Sequence, residues 1–296
     1  MSTRSEADGE IRGTLMLPTW VPFVVVALVW VPALIRFSYQ WALNPQYYYG
    51  WAVPLLAAYL IFDRWPQIPA PERPRFTGWA TVAIVLLALP QLPLRLFGEA
   101  NSLSDLVSYG MGLSAVGISL LVIYLSGGSS WVRHFAAPVL FLMVSISWPI
   151  QVERRLVQGL MRGNAEISAE VVSFAGVPAE ARGNVIEIPT GVLGVNEACS
   201  GIRSLQSTVM AACFLAVLYR TSVGGFLVLL GAGAAIALIC NVIRTVFLTW
   251  QGAFHGVEAV DKWHDSAGFT ILGVVLVCLW IMSQMMERHQ RRAARF

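Results

Sequence analysis

Polar residues that could form a catalytic site occur in three short segments between long apolar runs. The first segment contains Cys199, the second contains Asn241 and Arg244, and the third is His264 followed by Asp265. Ionisable groups near the centre of a membrane helix cost roughly 2.5–3.5 kcal/mol each, so they are retained where they meet one another or face a cavity. A thiol, an imidazole and a guanidinium are also the groups that acyl transfer at a cysteine uses. The pattern therefore predicts such a site, provided that the fold brings the segments together.

Cys199 is the candidate nucleophile. Asn196 is expected to cap the helix that follows, which would place Cys199 at the third helical position. The unpaired N–H groups of a helix start and the cation of Arg203, one turn further, would both favour the thiolate. The alternative is a buried structural cysteine. The other three cysteines lie inside apolar runs, where packing is expected, and they form no disulfide pattern.

His264 is the candidate proton carrier and Arg244 the candidate oxyanion donor. Asp265 could orient His264, although capping the following helix is the more natural role for a neighbouring residue. His255 is a rival base. Arg244 shares a helix face with Asn241, one turn earlier, and its alternative role is to extend toward the outer lipid headgroups.

The composition is that of a polytopic membrane protein. The 296 residues are 56% hydrophobic and 12% charged, whereas soluble domains carry about 25% charged residues. The net charge is only +3, and no long basic tract indicates a nucleic-acid partner. One cysteine with one or two histidines is too small a ligand set for zinc, so neither a metal nor another cofactor is expected.

We predict an all-α bundle of about eight transmembrane spans in a single integral membrane domain, 1–296, with no additional soluble C-terminal domain. The spans lie near 17–38, 47–65, 77–97, 103–125, 131–150, 200–219, 222–251 and 267–286. Arginines cluster on one side of this arrangement, which places the tails 1–16 and 287–296 in the cytoplasm. Cys199, Arg244 and His264 then reach the same outer face.

One long outer segment, 151–198, leads to the candidate nucleophile. Its first part has apolar residues at helical spacing and predicts either an amphipathic helix on the outer membrane surface or a short solvated helical hairpin. Its last part, 184–196, has two short extended stretches around a Thr-Gly turn and predicts a β-hairpin. This hairpin would deliver the chain to Cys199.

The three segments resemble the exosortase/archaeosortase family of membrane cysteine transpeptidases. The resemblance lies in the string Ala-Cys-Ser-Gly-Ile-Arg-Ser at 198–204, Asn-Val-Ile-Arg at 241–244 and His-Asp-Ser-Ala-Gly at 264–268. It covers roughly 130–285 and implies a catalytic site of Cys199, Arg244 and His264. It also implies membrane-tethered protein substrates whose C-terminal sorting signal has a short motif such as Pro-Glu-Pro, a transmembrane helix and a basic end.

The hypothesis is a thiol peptidase or transpeptidase of the bacterial inner membrane that forms a thioester at Cys199. Arg203, Glu197, Asn241 and Asp265 are the candidate substrate-binding residues. The acceptor of the cleaved protein, whether water, a glycan or a lipid, and the oligomeric state stay open. Two alternatives are a small-molecule transporter, which would place polar groups through the whole membrane depth, and a non-catalytic assembly protein with a lipid-attached or structural Cys199.

Overall fold

The computed structural model describes residues 18–72, 77–101, 104–195, 200–256 and 258–293. Three short 3₁₀ segments occupy Pro45–Trp51, Trp65–Gln67 and Leu142–Ser145. The helices and strands are α1 (Val21–Leu43), α2 (Ala52–Arg64), α3 (Thr77–Ala88), α4 (Gln91–Ala100), α5 (Asp105–Phe141), α6 (Ile150–Phe174), β1 (Glu180–Arg182), β2 (Val185–Ile188), β3 (Gly191–Gly194), α7 (Ile202–Leu218), α8 (Val223–His255) and α9 (Glu258–Ala293). The fold is thus mostly α-helical with a small sheet.

Five helical stretches among the described residues are long and apolar enough to cross a membrane, which makes the chain a multi-pass membrane protein. They are α1, the pair α3–α4, α5 with its following 3₁₀ turn, α8, and the part of α9 from Ser266 to Arg292. The count of eight spans is not confirmed. Helices α2 and α7 have 13 and 17 residues, fewer than the roughly 20 that cross a bilayer without tilt or thinning.

Helix α5 is interrupted by Gly128, whose φ of 73° and ψ of −163° are non-helical. In a straight helix, Gly112 and Ile146 would lie about 51 Å apart. Instead, a Cβ atom on Gly112 would lie 2.7 Å from Ile146 Cδ1 and 3.1 Å from Met143 Sδ. The two limbs of α5 therefore run antiparallel, in the places of the fourth and fifth predicted spans.

An aromatic core joins α1 to α2 and α5. The buried residues of α1 recur every three or four positions and so form one face: Val26, Trp30, Ala33, Phe37 and Trp41. Trp30 Nε1 donates to Ser119 Oγ at 3.1 Å, and Trp41 Nε1 donates to the carbonyl of Ser145 at 2.8 Å. Lipid removes most of the hydrophobic driving force between helices, so close packing and such hydrogen bonds hold this part of the bundle together.

The ends of α2 and α7 meet the second limb of α5 at one end of the bundle. Arg64 donates to the carbonyls of His134 and Val217, the latter at 3.0 Å, and Arg220 donates to Gln67 Oε1 at 2.5 Å. Loops that the arginine distribution assigns to one side of the membrane therefore lie together in the structure.

Helices α7, α8 and α9 form a second core. They cross closely at Gly233, where a Cβ atom would lie 2.8 Å from Leu279 Cδ2 and 3.0 Å from Thr208 Cγ2. Cys213, Cys240 and Cys278 lie on these helices as half-buried free thiols. This core aligns the three helices that carry the candidate site.

Helix α6 and the sheet form a third unit packed on α8. The predicted hairpin is confirmed as β2 and β3, which pair antiparallel, and β1 extends it to three strands. Thr190 Oγ1, in the hairpin turn, donates to the carbonyl of Gly252 in α8 at 2.8 Å. The first part of the segment is one continuous helix of 25 residues, so the alternative of a helical hairpin is wrong.

Helix α6 has two apolar faces. One face, which includes Ala165, Ala169 and Val172, is buried against the rest of this unit. The residues on which the amphipathic prediction depended lie on another face, where Ile167 and Phe174 are 47% and 96% exposed. An exposed apolar stripe is the surface that an interfacial helix presents to lipid.

Candidate functional site

A cavity of about 520 Å³ lies where α7, α8, α9 and the 3₁₀ segment Pro45–Trp51 converge. Both described arginines of the sequence motifs, Arg203 and Arg244, line it, together with Asn241. We call it the arginine cavity. Its lining brings together the segment that follows Cys199, the Asn241–Arg244 turn and the start of the last apolar run.

Arg244 lies deep in this cavity. Its residue surface is 8% exposed, and Asn241, one helical turn earlier on α8, is 4% exposed. Helix α9 approaches the guanidinium at Gly268, where a Cβ atom would lie 3.6 Å from Arg244 Nη2. A buried guanidinium stays charged and offers five N–H donors, so it favours a carboxylate or a developing oxyanion nearby.

Gly201 brings the start of α7 against Asn241. It has a φ of 86°, and a Cβ atom there would lie 2.7 Å from Asn241 Cγ. The left-handed backbone and the close contact both require glycine. The next residue, Ile202, begins α7, and its N–H donates to the hydroxyl of the buried Ser200 at 3.2 Å.

The expected cap at Asn196 is wrong because α7 begins only at Ile202. Cys199 therefore precedes the helix and does not occupy its third position. The left-handed backbone of Gly201 prevents the helix from extending further toward the N-terminus. Ser200, and not Asn196, supplies the side-chain oxygen that accepts from the first N–H of the helix. The placements of Cys199, Glu197 and Asn196 themselves lie outside the described residues.

His264 and Asp265 belong to α9, which begins at Glu258. The expectation of a loop histidine before the last span is therefore wrong, and so is a capping role for Asp265, which lies in the second turn of the helix. The helix can start earlier because the segment 258–265 contains no glycine or proline to interrupt it. His264 is one turn before Gly268, the residue that meets Arg244, so their backbone positions share a face.

Arg203 and His255, the other candidates from the sequence, differ in their position relative to the arginine cavity. Arg203 lines the arginine cavity but is exposed to solvent. His255 is the last residue of α8 and is exposed, and it is not among the described residues that line the cavity. Among the same residues, no group of three or more His, Cys, Asp or Glu could bind a metal ion.

Several residues that support the site were not recognised from the sequence. Asn164 in α6 donates through Nδ2 to Thr245 Oγ1 at 2.7 Å, and that hydroxyl donates to the carbonyl of Asn241 at 3.2 Å. Helix α6 is thereby joined to α8 beside Arg244. The Pro45–Trp51 segment, which includes Tyr49, forms another wall. The run of amide and aromatic residues in this segment is the sequence feature that could have indicated a cavity wall.

A family model described as transmembrane exosortase matches residues 41–281 of this chain. The matched region contains the three polar segments, helix α6, the sheet and the arginine cavity. No curated protein and no solved structure shows significant similarity to the chain. The family match and the cavity geometry thus bear on the same part of the molecule.

Proposed function

The chain belongs to the transmembrane exosortase family, and on this basis we propose that it is a membrane cysteine peptidase or transpeptidase. It cleaves a C-terminal sorting signal made of a short motif, a transmembrane helix and a basic end. The observation that carries the proposal is the arginine cavity, because it joins the three segments that have catalytic residue types. Gly201 follows Cys199 by two residues, and Gly268 follows His264 by one turn.

In the first half-reaction, the Cys199 thiolate attacks the carbonyl carbon of the scissile peptide bond. A C–S bond forms, and Arg244 donates to the tetrahedral oxyanion. Removing such a donor typically raises the barrier by about 3–4 kcal/mol. His264 gives a proton to the leaving amine as the C–N bond breaks, and a thioester remains.

In the second half-reaction, His264 takes a proton from the incoming nucleophile, which attacks the thioester carbonyl and releases the thiolate. Arg203, Asn241, Glu197 and Asp265 position the substrate and the catalytic groups. The contact of Asn241 with Gly201 supports its role in positioning the segment that carries Cys199. The exposure of Arg203 at the rim of the cavity supports its role in binding substrate.

The apolar lining supports a membrane-tethered substrate. Phe269 and Leu276 of α9 line the arginine cavity and are also 77% and 40% exposed on the outside of the bundle. A transmembrane helix of the substrate can pack on this face with its scissile bond at the cavity. Confinement of both partners to one bilayer lowers the entropic cost of their encounter.

The proposed topology has eight crossings with both termini in the cytoplasm of a bacterium and the arginine cavity on the outer side of the inner membrane. Two observations support this topology. The two limbs of α5 run antiparallel, and the hydrogen bonds of Arg64 and Arg220 hold the loops after α2 and α7 together at one end of the bundle. Helices α2 and α7 are then short crossings. Reporter fusions after Ala175 and Arg220 test this topology, because they must lie on opposite sides.

Trapping of uncleaved substrate tests the proposed activity. The substrate is a co-encoded protein that ends in a short Pro-containing motif, an apolar helix and a basic tip, and it is expressed with the wild type or with Cys199→Ala. We expect the variant to accumulate the uncleaved form. Cys278→Ala is the control and should cleave normally, because this thiol lies in α9 near the second core. Normal processing by Cys199→Ala rejects Cys199 as the nucleophile.

A further inference from the structure

A second cavity, of about 700 Å³, adjoins the arginine cavity on the side of α6. Its lining comes from the end of α1, the Pro45–Trp51 segment, the start of α5 and the first turns of α6. Asp105, Glu153 and Arg154 are its charged lining residues, and we call it the acidic cavity. Gln46 lines both cavities, so the two spaces are neighbours across one residue.

The carboxylates of the acidic cavity are fixed by hydrogen bonds. Tyr47 donates its hydroxyl hydrogen to Glu153 Oε2 at 2.6 Å and accepts from the Trp148 N–H at 3.0 Å. Asp105 accepts from the Ile150 N–H at 2.8 Å. Asp105 also accepts from the Ser147 hydroxyl at 3.4 Å. These partners fix the positions of both carboxylates in the wall of the cavity.

The charge of this cavity is opposite to that of its neighbour. Asp105 and Glu153 are half-buried, whereas Arg154 is exposed to water, which screens its charge. The described lining of the arginine cavity contains Arg203 and Arg244 and no acidic residue. The acidic cavity is therefore a local site of negative potential, which favours a cation.

Gln46 supplies a second, independent indication of a ligand. The residue is 7% exposed, and its side-chain oxygen accepts no hydrogen bond from any residue that the structure describes. A buried acceptor without a donor costs about 1–3 kcal/mol. A ligand with N–H or O–H groups at the junction of the two cavities would remove that cost.

We propose that the acidic cavity binds the acceptor of the second half-reaction and that this acceptor is an amine. The inference rests on the proposed function. The ammonium form binds near Asp105 and Glu153, and loses one proton to solvent before attack. Its nitrogen then forms a C–N bond with the thioester carbonyl, the C–S bond breaks to release the cysteine thiolate, and His264 takes the second proton. The product is an amide.

Partition between two products tests this assignment. Purified full-length protein cleaves the tailed substrate in the presence of glycinamide or its hydroxyl counterpart glycolamide, and mass spectrometry measures the conjugated and hydrolysed products. We expect glycinamide to be conjugated in preference to glycolamide. Glu153→Gln should lower the ratio of aminolysis to hydrolysis about tenfold, as expected for loss of one charge-assisted contact. The ratio does not depend on the amount of folded enzyme.

Glu170→Gln is the matched control, because Glu170 is an exposed carboxylate of α6 outside the acidic cavity and should behave as the wild type. A ratio unchanged by Glu153→Gln, or equal conjugation of both compounds, overturns the proposal. Saturation-transfer NMR of glycinamide with Cys199→Ala protein gives a readout that needs no cleavage. The double variant Cys199→Ala/Glu153→Gln should lose the glycinamide signal, and the double variant Cys199→Ala/Glu170→Gln should keep it. A signal that does not depend on Glu153 also overturns the proposal. Absence of cleavage by the wild type contradicts the proposed function alone.

Discussion

The arginine cavity and the acidic cavity share Gln46 but differ in how they are built. The arginine cavity lies among long helices, with a deeply buried cation and apolar side chains that continue to the exposed surface of α9. The acidic cavity lies beside α6, with half-buried carboxylates and amides. In the proposed reaction, a developing oxyanion is stabilised in the first cavity and a cation is attracted to the second.

This difference fits the division of labour that we propose between the two halves of a transfer reaction. In the proposed reaction, a peptide tail enters from the membrane along α9, while a polar nucleophile enters from the side of α6. Separate routes let the nucleophile reach the thioester while the protein remains bound. Substitutions in the two cavities should therefore have different signatures, the first in the rate of cleavage and the second in the choice of product.

Arg244→Gln should have the largest effect. Loss of the oxyanion donor is expected to lower kcat for release of the tail about 10²–10³-fold. The measurement is the rate of tail release per folded protein, with the folded fraction taken from thermal unfolding of the same sample. Arg155→Gln, an exposed arginine of α6, is the control and should keep the wild-type rate. A wild-type rate for Arg244→Gln would assign Arg244 to structure alone.

Gly201→Ala should have the next largest effect, on both stability and cleavage. A methyl group would meet Asn241 Cγ at 2.7 Å on a backbone with φ of 86°, and we expect a loss of at least about 2 kcal/mol in unfolding free energy. Thermal and denaturant unfolding in detergent measure it. Gly163→Ala in α6, where a Cβ atom meets nothing within 4 Å, should instead be neutral or stabilising by about 0.5–1 kcal/mol. Equal effects of the two substitutions would contradict the described turn.

The sequence predicted the parts of this comparison that depend on residue type and spacing. Asn241 and Arg244 share a helix face and line one cavity, and the hairpin before Cys199 has its expected strands. The start of α7 was not predictable in the same way, because it depends on contact between Gly201 and a residue 40 positions later. No short-range pattern encodes such a contact. Similarly, Asp265 lies inside α9, so a polar residue directly before an apolar run does not mark the start of this helix.

The acidic cavity could not be predicted because its residues are scattered along the chain. Asp105, Glu153 and Gln46 are far apart in sequence, and each has an ordinary local explanation, such as a helix start or a polar loop. Only the antiparallel limbs of α5 and the position of α6 bring them together. The composition of a single segment contains no signal for this arrangement.

Tyr47→Phe tests the rigidity of the acidic cavity. The change removes one donor from the Glu153 carboxylate and an acceptor from the Trp148 N–H, and we expect a loss of about 1.5–3 kcal/mol in unfolding free energy. Tyr48→Phe, on the same segment but with a side chain facing the arginine cavity and 56% exposed, should change stability by less than about 0.5 kcal/mol. If the two substitutions cost the same, the Tyr47–Glu153 bond does not stabilise the wall of the cavity.

The Asn164–Thr245 hydrogen bond has the smallest expected effect but bears most directly on how the two cavities are connected. Asn164 is on α6, which lines the acidic cavity, and Thr245 follows Arg244 on α8. A double-mutant cycle with Asn164→Ala and Thr245→Val should give a coupling of about 1 kcal/mol in unfolding free energy, as for a typical hydrogen bond within a protein.

The same cycle separates a passive contact from a mechanical link between the cavities. Because the bond fixes α6 against α8, breaking it should change the rate of tail release and the ratio of aminolysis to hydrolysis together. Tyr47→Phe should instead change mainly the ratio, and Arg244→Gln mainly the rate. A stability coupling with neither readout changed would mean that α6 and α8 keep their spacing through other contacts, such as the bond from Thr190 to Gly252. The two cavities would then be neighbours that act independently.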